Sequence, residues 1–318
     1  MNETILETDD YDNPWKEAIT LYFPSFIQFY FPEIYQRIDW SYPPEFLDKE
    51  LQTIVRDSET GKQYADKLVK VRELNGQETW VLIHIEIQSQ KDAKLTTRIY
   101  FYYTRILDTY GQPVVSLVIL ADKNKNWKPQ EHKLEKWGCE MVLKFPVVKL
   151  LDYNLEELEN SNNPFAIITL AHLTTLKNKH KPKQRYEGKI KLVKKLYQAG
   201  YSRKDILELF RLIDWIINLP KNWQTKFDQD LNEFEEERKM PYLTSIERSA
   251  LERGEIKKSR EDILEVLQIR FNSVPESLIN LVNEINDQQI LKDLLRQAVI
   301  TVSLTEFEAF LNSLNASN

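Results

Sequence analysis

Cysteine is almost missing from this 318-residue chain. Cys139 stands alone, so no internal disulfide can form, and a reducing compartment is expected. Glycine is scarce too, with 7 residues beside 13 prolines, which argues against collagenous or linker-rich architecture. No stretch approaches the roughly 20 apolar residues that a bilayer span requires; the most apolar one runs from Val114 to Ala121. The opening residues, MNETILETDDYDNPW, are acidic and lack the basic-then-apolar order of a secretory signal, so a cytoplasmic protein with no membrane partner is expected. Also missing are a GxxxxGK[ST] phosphate loop, a GxGxxG turn, a GxSxG elbow and any Cys/His zinc spacing. What remains is ordinary for a globular chain, 42% hydrophobic and 29% charged, with a net charge of −6 that does not favour a nucleic-acid partner overall.

The stretch around which the chain is organised is Tyr64 to Gln90, YADKLVKVRELNGQETWVLIHIEIQSQ. It reads as two strands joined by a turn at Leu74-Asn75-Gly76-Gln77. In the second strand Val81, Ile83, Ile85 and Ile87 point one way, and His84, Glu86 and Gln88 the other. With a connection of three or five residues, paired positions sum to 152, and Asp66 falls opposite Glu86 with Cβ atoms about 4.5 to 5.5 Å apart. Two facing carboxylates repel, and such a pair calls for a shared proton or a bound cation. A two-residue Asn-Gly loop would instead put the two acids on opposite faces.

Asp66 followed by Glu86-Ile87-Gln88 resembles the Asp…Glu-x-Lys signature of the PD-(D/E)XK nuclease superfamily, with Gln in place of Lys. The surroundings, ADKLVKV, IHIEIQSQKDAKLTTRIYFYYTRILDTYG, VVSLVILAD, NPFAIITLAHL, LFRLIDWIINLP and MPYLTSIER, are similar to the recombination-promoting nuclease/putative transposase (Rpn) family, over most of the chain to about Gly254. The resemblance implies a Mg²⁺-dependent DNA endonuclease, with Mn²⁺ as a substitute, acting in recombination, transposition or defence. It implies that Asp66, Glu86 and the backbone carbonyl of Ile87 hold the metal, that Gln88 replaces the catalytic Lys, and that Glu50 on a leading helix is a further ligand. Lys67, Lys70 and Arg98 are candidates to supply the charge that Gln88 lacks. The alternative is a weak or inactive nuclease-fold protein acting in DNA binding or assembly. Homo-oligomerisation is left open.

The rest of the chain reads mostly helical. The aromatic-rich residues 11–40, broken by Pro14, Pro24 and Pro32, form short helices rather than one long one. Leu47 to Leu51 is a helical turn or the approach to a first strand, and Asp57 to Gly61 is a turn. Asp92 to Tyr110 is a helix whose Arg98 and Arg105 are candidates for DNA phosphates or a salt-bridged surface. Val114 to Ala121 is a buried strand, Glu140 to Lys144 a further strand, and Phe145 to Tyr153 connects outward. Asn163-Pro164 starts a helix. Lys177 to Lys195 holds nine Lys or Arg against one acid, Glu187, which makes Lys189, Lys191 and Lys194 candidates for DNA contact or for a solvated helix face. His84 reads as a buried supporting group or, less simply, a general base. Ser202, Thr244 (with Glu247) and Thr305 (with Glu308) read as helix caps. The expected class is α/β: a restriction-endonuclease-like mixed sheet with N-terminal and flanking helices over 1–160, a helical extension with the basic segment over 161–254, and a small helical domain over 255–318.

Overall fold

The computed structural model describes residues 12–55, 67–74, 79–238, 245–285 and 287–315. It has two compact units, Met1–Glu233 and Phe234–Asn318. The first is mixed α/β. Its strands are β1 (Glu45–Phe46), β2 (Lys67–Arg72), β3 (Trp80–Gln88), β4 (Val114–Leu120), β5 (Glu131–Lys136), β6 (Cys139–Lys144) and β7 (Val147–Lys149). Its helices begin with α1 (Asp12–Tyr30), α2 (Pro32–Tyr35), α3 (Asp48–Val55) and α4 (Leu95–Tyr110), and continue with α5 (Leu155–Asn160), α6 (Pro164–Lys177), α7 (Pro182–Gln198) and α8 (Arg203–Ile216). Helix α9 (Lys221–Arg238) runs across the division between the units.

Five strands form one sheet in the order β1-β2-β3-β4-β7. The β1–β2 and β2–β3 pairs are antiparallel, and the β3–β4 and β4–β7 pairs are parallel. A parallel neighbour needs a crossover, and α4 supplies it between β3 and β4. Paired positions of β2 and β3 sum to 152, from Lys67 opposite Ile85 to Arg72 opposite Trp80. Glu73 N–H donates to the Thr79 carbonyl at 2.9 Å, which continues the same sum. The register is therefore the one expected for an odd connection; Asn75 to Glu78 and Asp66 lie outside the described residues.

Because side chains alternate along a strand, the sheet has two distinct faces. The odd face carries Val69, Ile83, Ile85, Ile87 and Ile119, all buried. On that side Lys67 Nζ donates to Thr20 Oγ1 of α1 at 2.8 Å, and the ring of His172 on α6 contacts the Ala121 carbonyl through Nε2 at 2.8 Å. A carbonyl only accepts, so Nε2 carries the proton and Nδ1 is left to accept from Trp15 Nε1 at 3.4 Å. Helix α1 breaks near Tyr22 (φ −129°, ψ 35°), two residues before Pro24, so the expected short helices meet at a kink. The even face packs under α3 and α4 in two apolar clusters. One joins Leu47, Leu51, Leu68, Leu82, Tyr102 and Ile106; the other joins Leu95, Ile99, Val118, Leu120 and Phe145.

Three expectations meet the structure here, two of them as corrections. The segment after Phe145 does not lead outward: Val147–Lys149 returns as the edge strand β7, held beside β4. The strand expected at Glu140 to Lys144 forms as β6, in a separate hairpin, β5–β6, which turns at Trp137-Gly138 with φ of 53° and 83°, as a two-residue hairpin turn requires. That hairpin lies on the α4 side, where His132 stacks on Tyr100 at 5.1 Å. The third concerns the second unit, an all-helical cluster of α10 (Ser245–Phe271), α11 (Glu276–Glu284), α12 (Gln288–Ile300) and α13 (Leu304–Asn315). Its core gathers Ile263, Leu267, Leu278, Val282, Leu291, Leu294, Phe307 and Leu311. Its last helix is capped not by Thr305 but by Ser303, whose Oγ accepts from Glu306 N–H at 3.2 Å while Glu306 Oε2 accepts from Val302 N–H at 2.9 Å. Thr244 and the turn at Asp57–Gly61 lie outside the described residues.

Candidate functional site

On the even face, polar side chains lie alongside the two apolar clusters. His84 and Glu86 on β3 are fully buried, and Gln88 and Arg98 nearly so. Arg98 stands in the first turns of α4, and helical side chains lean toward the helix N-terminus. Its guanidinium therefore reaches back over the end of β3. Nε and Nη2 both donate to Glu86 Oε1, at 3.1 and 2.5 Å; Nη2 also donates to Gln88 Oε1 at 2.7 Å. On the other edge Nη1 donates to Asp92 Oδ2 at 2.7 Å.

Asp92 is absent from the residues singled out in the sequence. It sits in the loop between β3 and α4, where its Oδ1 accepts from Lys94 N–H at 2.9 Å and so helps start the helix. Desolvation pushes its carboxyl up, but the Lys94 N–H bond and the Arg98 guanidinium outweigh that and hold it below the usual carboxylate range. Its signal in the sequence was an acid six residues before an arginine on a helix whose inward face is otherwise apolar and aromatic.

His84 is a neutral buried group. Burial, opposed by Glu86 and reinforced by Arg98, moves its pKa from 6.5 to about 4. Its Nδ1 lies 3.4 Å from Ser116 Oγ, its Nε2 4.0 Å from Glu86 Oε2, and its ring meets Tyr102 edge-on at 5.2 Å. The supporting-group reading fits these contacts.

The remaining candidates scatter. The expectation for Ile87 concerns its backbone carbonyl and not its side chain, which faces the opposite side of the sheet in register with Ile119. Glu50 is exposed on α3, and Arg105 is half-buried on α4. Lys67 is drawn to Asp48 on the odd face, while Lys70 pairs with Glu45 at 3.2 Å and lies 4.5 Å over the Trp80 ring. The basic run is not a uniform surface. Lys189 is 1% exposed, bonded to Asp214 at 2.6 Å and Gln224 at 3.1 Å, and Arg185 one turn earlier is buried with it. Lys191 is exposed and pairs with Glu159, and Lys194 is half-buried. Of these cations, Arg98 alone is drawn to Glu86 and Gln88 by the contacts above.

Two carboxylates, Glu86 and Asp92, and the amide oxygen of Gln88 thus converge on one cationic group. Hard oxygen donors of this kind suit Mg²⁺ or Mn²⁺ in chemistry, and here they surround a guanidinium. Among the described residues, no group of three or more His, Cys, Asp or Glu side chains is placed to hold a metal ion. Among them, too, no helix is long and apolar enough to cross a membrane. The chain matches no family model, no curated protein and no solved structure.

Proposed function

We propose that the chain is a Mg²⁺-dependent DNA endonuclease of Rpn type, with a restriction-endonuclease-like core, hydrolysing phosphodiester bonds. The observation that supports this most is the placing of Glu86 and Gln88 on one face of β3, in a hairpin whose paired positions sum to 152. The proposal requires the ladder to run one pair beyond Lys67 and Ile85, so that Asp66 meets Glu86. Asp66, Glu86 and the Ile87 carbonyl would then hold the metal, which when bound supplies Lewis acidity and a nucleophile at neutral pH. Gln88 brings an amide rather than a charge and serves to orient groups by hydrogen bonds. His84, neutral and fixed between Ser116 and Tyr102, shapes the wall behind Glu86.

Nicking of supercoiled plasmid in Mg²⁺, lost in EDTA and in Asp66→Ala or Glu86→Gln, is the expected result. Cleavage by wild type that survives in both variants would refute it. A second reading is favoured by the engagement of Glu86 and Gln88 with Arg98: a protein that keeps the fold but acts in DNA binding or assembly. It predicts no nicking by wild type and salt-sensitive DNA retention that persists in Asp66→Ala and weakens on neutralising Lys191 and Lys194. Lys189 is unsuitable for that test, since its buried ammonium supports the helical packing.

A further inference from the structure

The arrangement around Arg98 points to a regulated site. We propose that Arg98 is a built-in counter-cation: its guanidinium and a divalent metal ion are alternative partners of the Glu86 carboxylate, with Gln88 and Asp92 holding the guanidinium in place, so that metal enters only as Arg98 withdraws. This rests on the metal-dependent reading above and adds to it a competitor encoded in the chain.

Three observations carry the idea. First, Arg98 spends donors on every one of these groups: two bonds to Glu86 Oε1, one to Gln88 Oε1 and one to Asp92 Oδ2. Glu86 Oε1 already accepts two charge-assisted bonds, and a carboxylate committed to one cation holds a second less strongly. Second, the cation is held from behind. Asp92 fixes Nη1 from the loop side while its own Oδ1 is tied to the start of α4, so the guanidinium has a defined resting place. Third, the anchor of Arg98 is rigid. Its helix is seated by Leu95, Ile99, Tyr102 and Ile106, all buried, so exchange is a matter of side-chain torsions and not of moving the helix.

Competition of this type has a thermodynamic signature. The apparent metal affinity is reduced by the free energy of displacing the guanidinium, so weakening Arg98 strengthens metal binding. A structural ion pair that merely supports the fold has the opposite consequence, because its loss loosens the donors and weakens the metal.

The test is calorimetric titration of the full chain with Mn²⁺, beside the shift in melting temperature that Mn²⁺ produces. Arg98→Met is expected to bind Mn²⁺ about tenfold more tightly than wild type, a change of about 1.4 kcal/mol, and to gain the larger melting shift. Asp92→Asn keeps the guanidinium and loses one of its anchors. It is expected to move affinity in the same direction by about threefold, and it carries the test where Arg98→Met folds poorly. Equal or weaker Mn²⁺ binding in both variants, with wild type binding the ion, would overturn the competition and leave the metal-dependent reading standing. No Mn²⁺ binding by any of the three proteins would overturn both.

Discussion

Lys149 and Asp122 form an ion pair at the C-terminal ends of β7 and β4, 1% and 2% exposed. Asp122 Oδ1 also accepts from Asn124 N–H at 2.7 Å, and the Lys149 ammonium lies 5.8 Å from the Trp127 ring centroid. Lys149→Met removes the cation and leaves the carboxylate in the same dry place, a loss of about 3–5 kcal/mol. Against a typical total of about 5–15 kcal/mol, that is a large share of the stability. Asp122→Asn retains the acceptor for Asn124 but strands the ammonium. Its cost is expected to be smaller, because a buried lysine can release its proton. The double variant restores neutrality and is expected within about 1 kcal/mol of wild type, so the cycle, taken as the two single costs less that of the double, should show a coupling of at least about 3 kcal/mol. All seven tryptophans lie before Glu233, so tryptophan emission during urea unfolding of the full chain reports the first unit alone. Singles costing less than about 1 kcal/mol, or a double equal to their sum, would refute the reasoning.

Gly188 is in the interior of α7, where alanine ordinarily stabilises, but a Cβ there would lie 2.4 Å from Thr174 Cγ2 of α6. Gly188→Ala is therefore expected to lower stability by about 1–3 kcal/mol, and Thr174→Ser in the same chain to recover most of it; a stabilising single variant would contradict this packing. Burial raises Tyr153 and, with help from Asp205, Tyr201 from 10.0 to about 12, and carries Tyr30 well above 10.0. The unfolded chain releases these protons first, so their stabilisation is intact below pH 10 and is lost as pH rises through about 12. The urea midpoint should fall over that range and fall less in Tyr30→Phe; a flat profile would rule this out. Ser303→Ala should cost about 1 kcal/mol through loss of the cap on α13, whereas Thr305→Ala should leave the melting temperature nearly unchanged; the reverse order would return the helix start to Thr305.

The parts of the fold that were legible in the chain are those where one periodicity dominates. The run Ile83 to Gln88 alternates without interruption, Leu95 to Tyr110 repeats at helical spacing, and Asn163-Pro164 and Ser202 mark helix starts by their own side-chain bonds. Strand β7 has three residues, too few for any period to register. The β5–β6 hairpin hides its pattern because Lys133 pairs both with Glu135 on its own strand and with Glu140 across from it, so charge fills positions that alternation would leave apolar. Helix α7 deceived through composition. Counting charges makes it a basic surface, but Leu192, Val193 and Leu196 define an inward stripe that passes back through Lys189 and Arg185. At the site, Glu86 and Gln88 were visible from the strand, while the role of Asp92 depended on where the Arg98 side chain leans, which no linear spacing states.

The connection from β4 to β7 does not travel through a helix; it makes the excursion of the β5–β6 hairpin, which presses His132 against Thr96 and Tyr100. The crossover helix is thereby sandwiched, with strands beneath it and a ribbon above. With α4 held between strands and ribbon, the exchange proposed for Arg98 would act at the scale of a few torsion angles and leave the backbone trace unchanged.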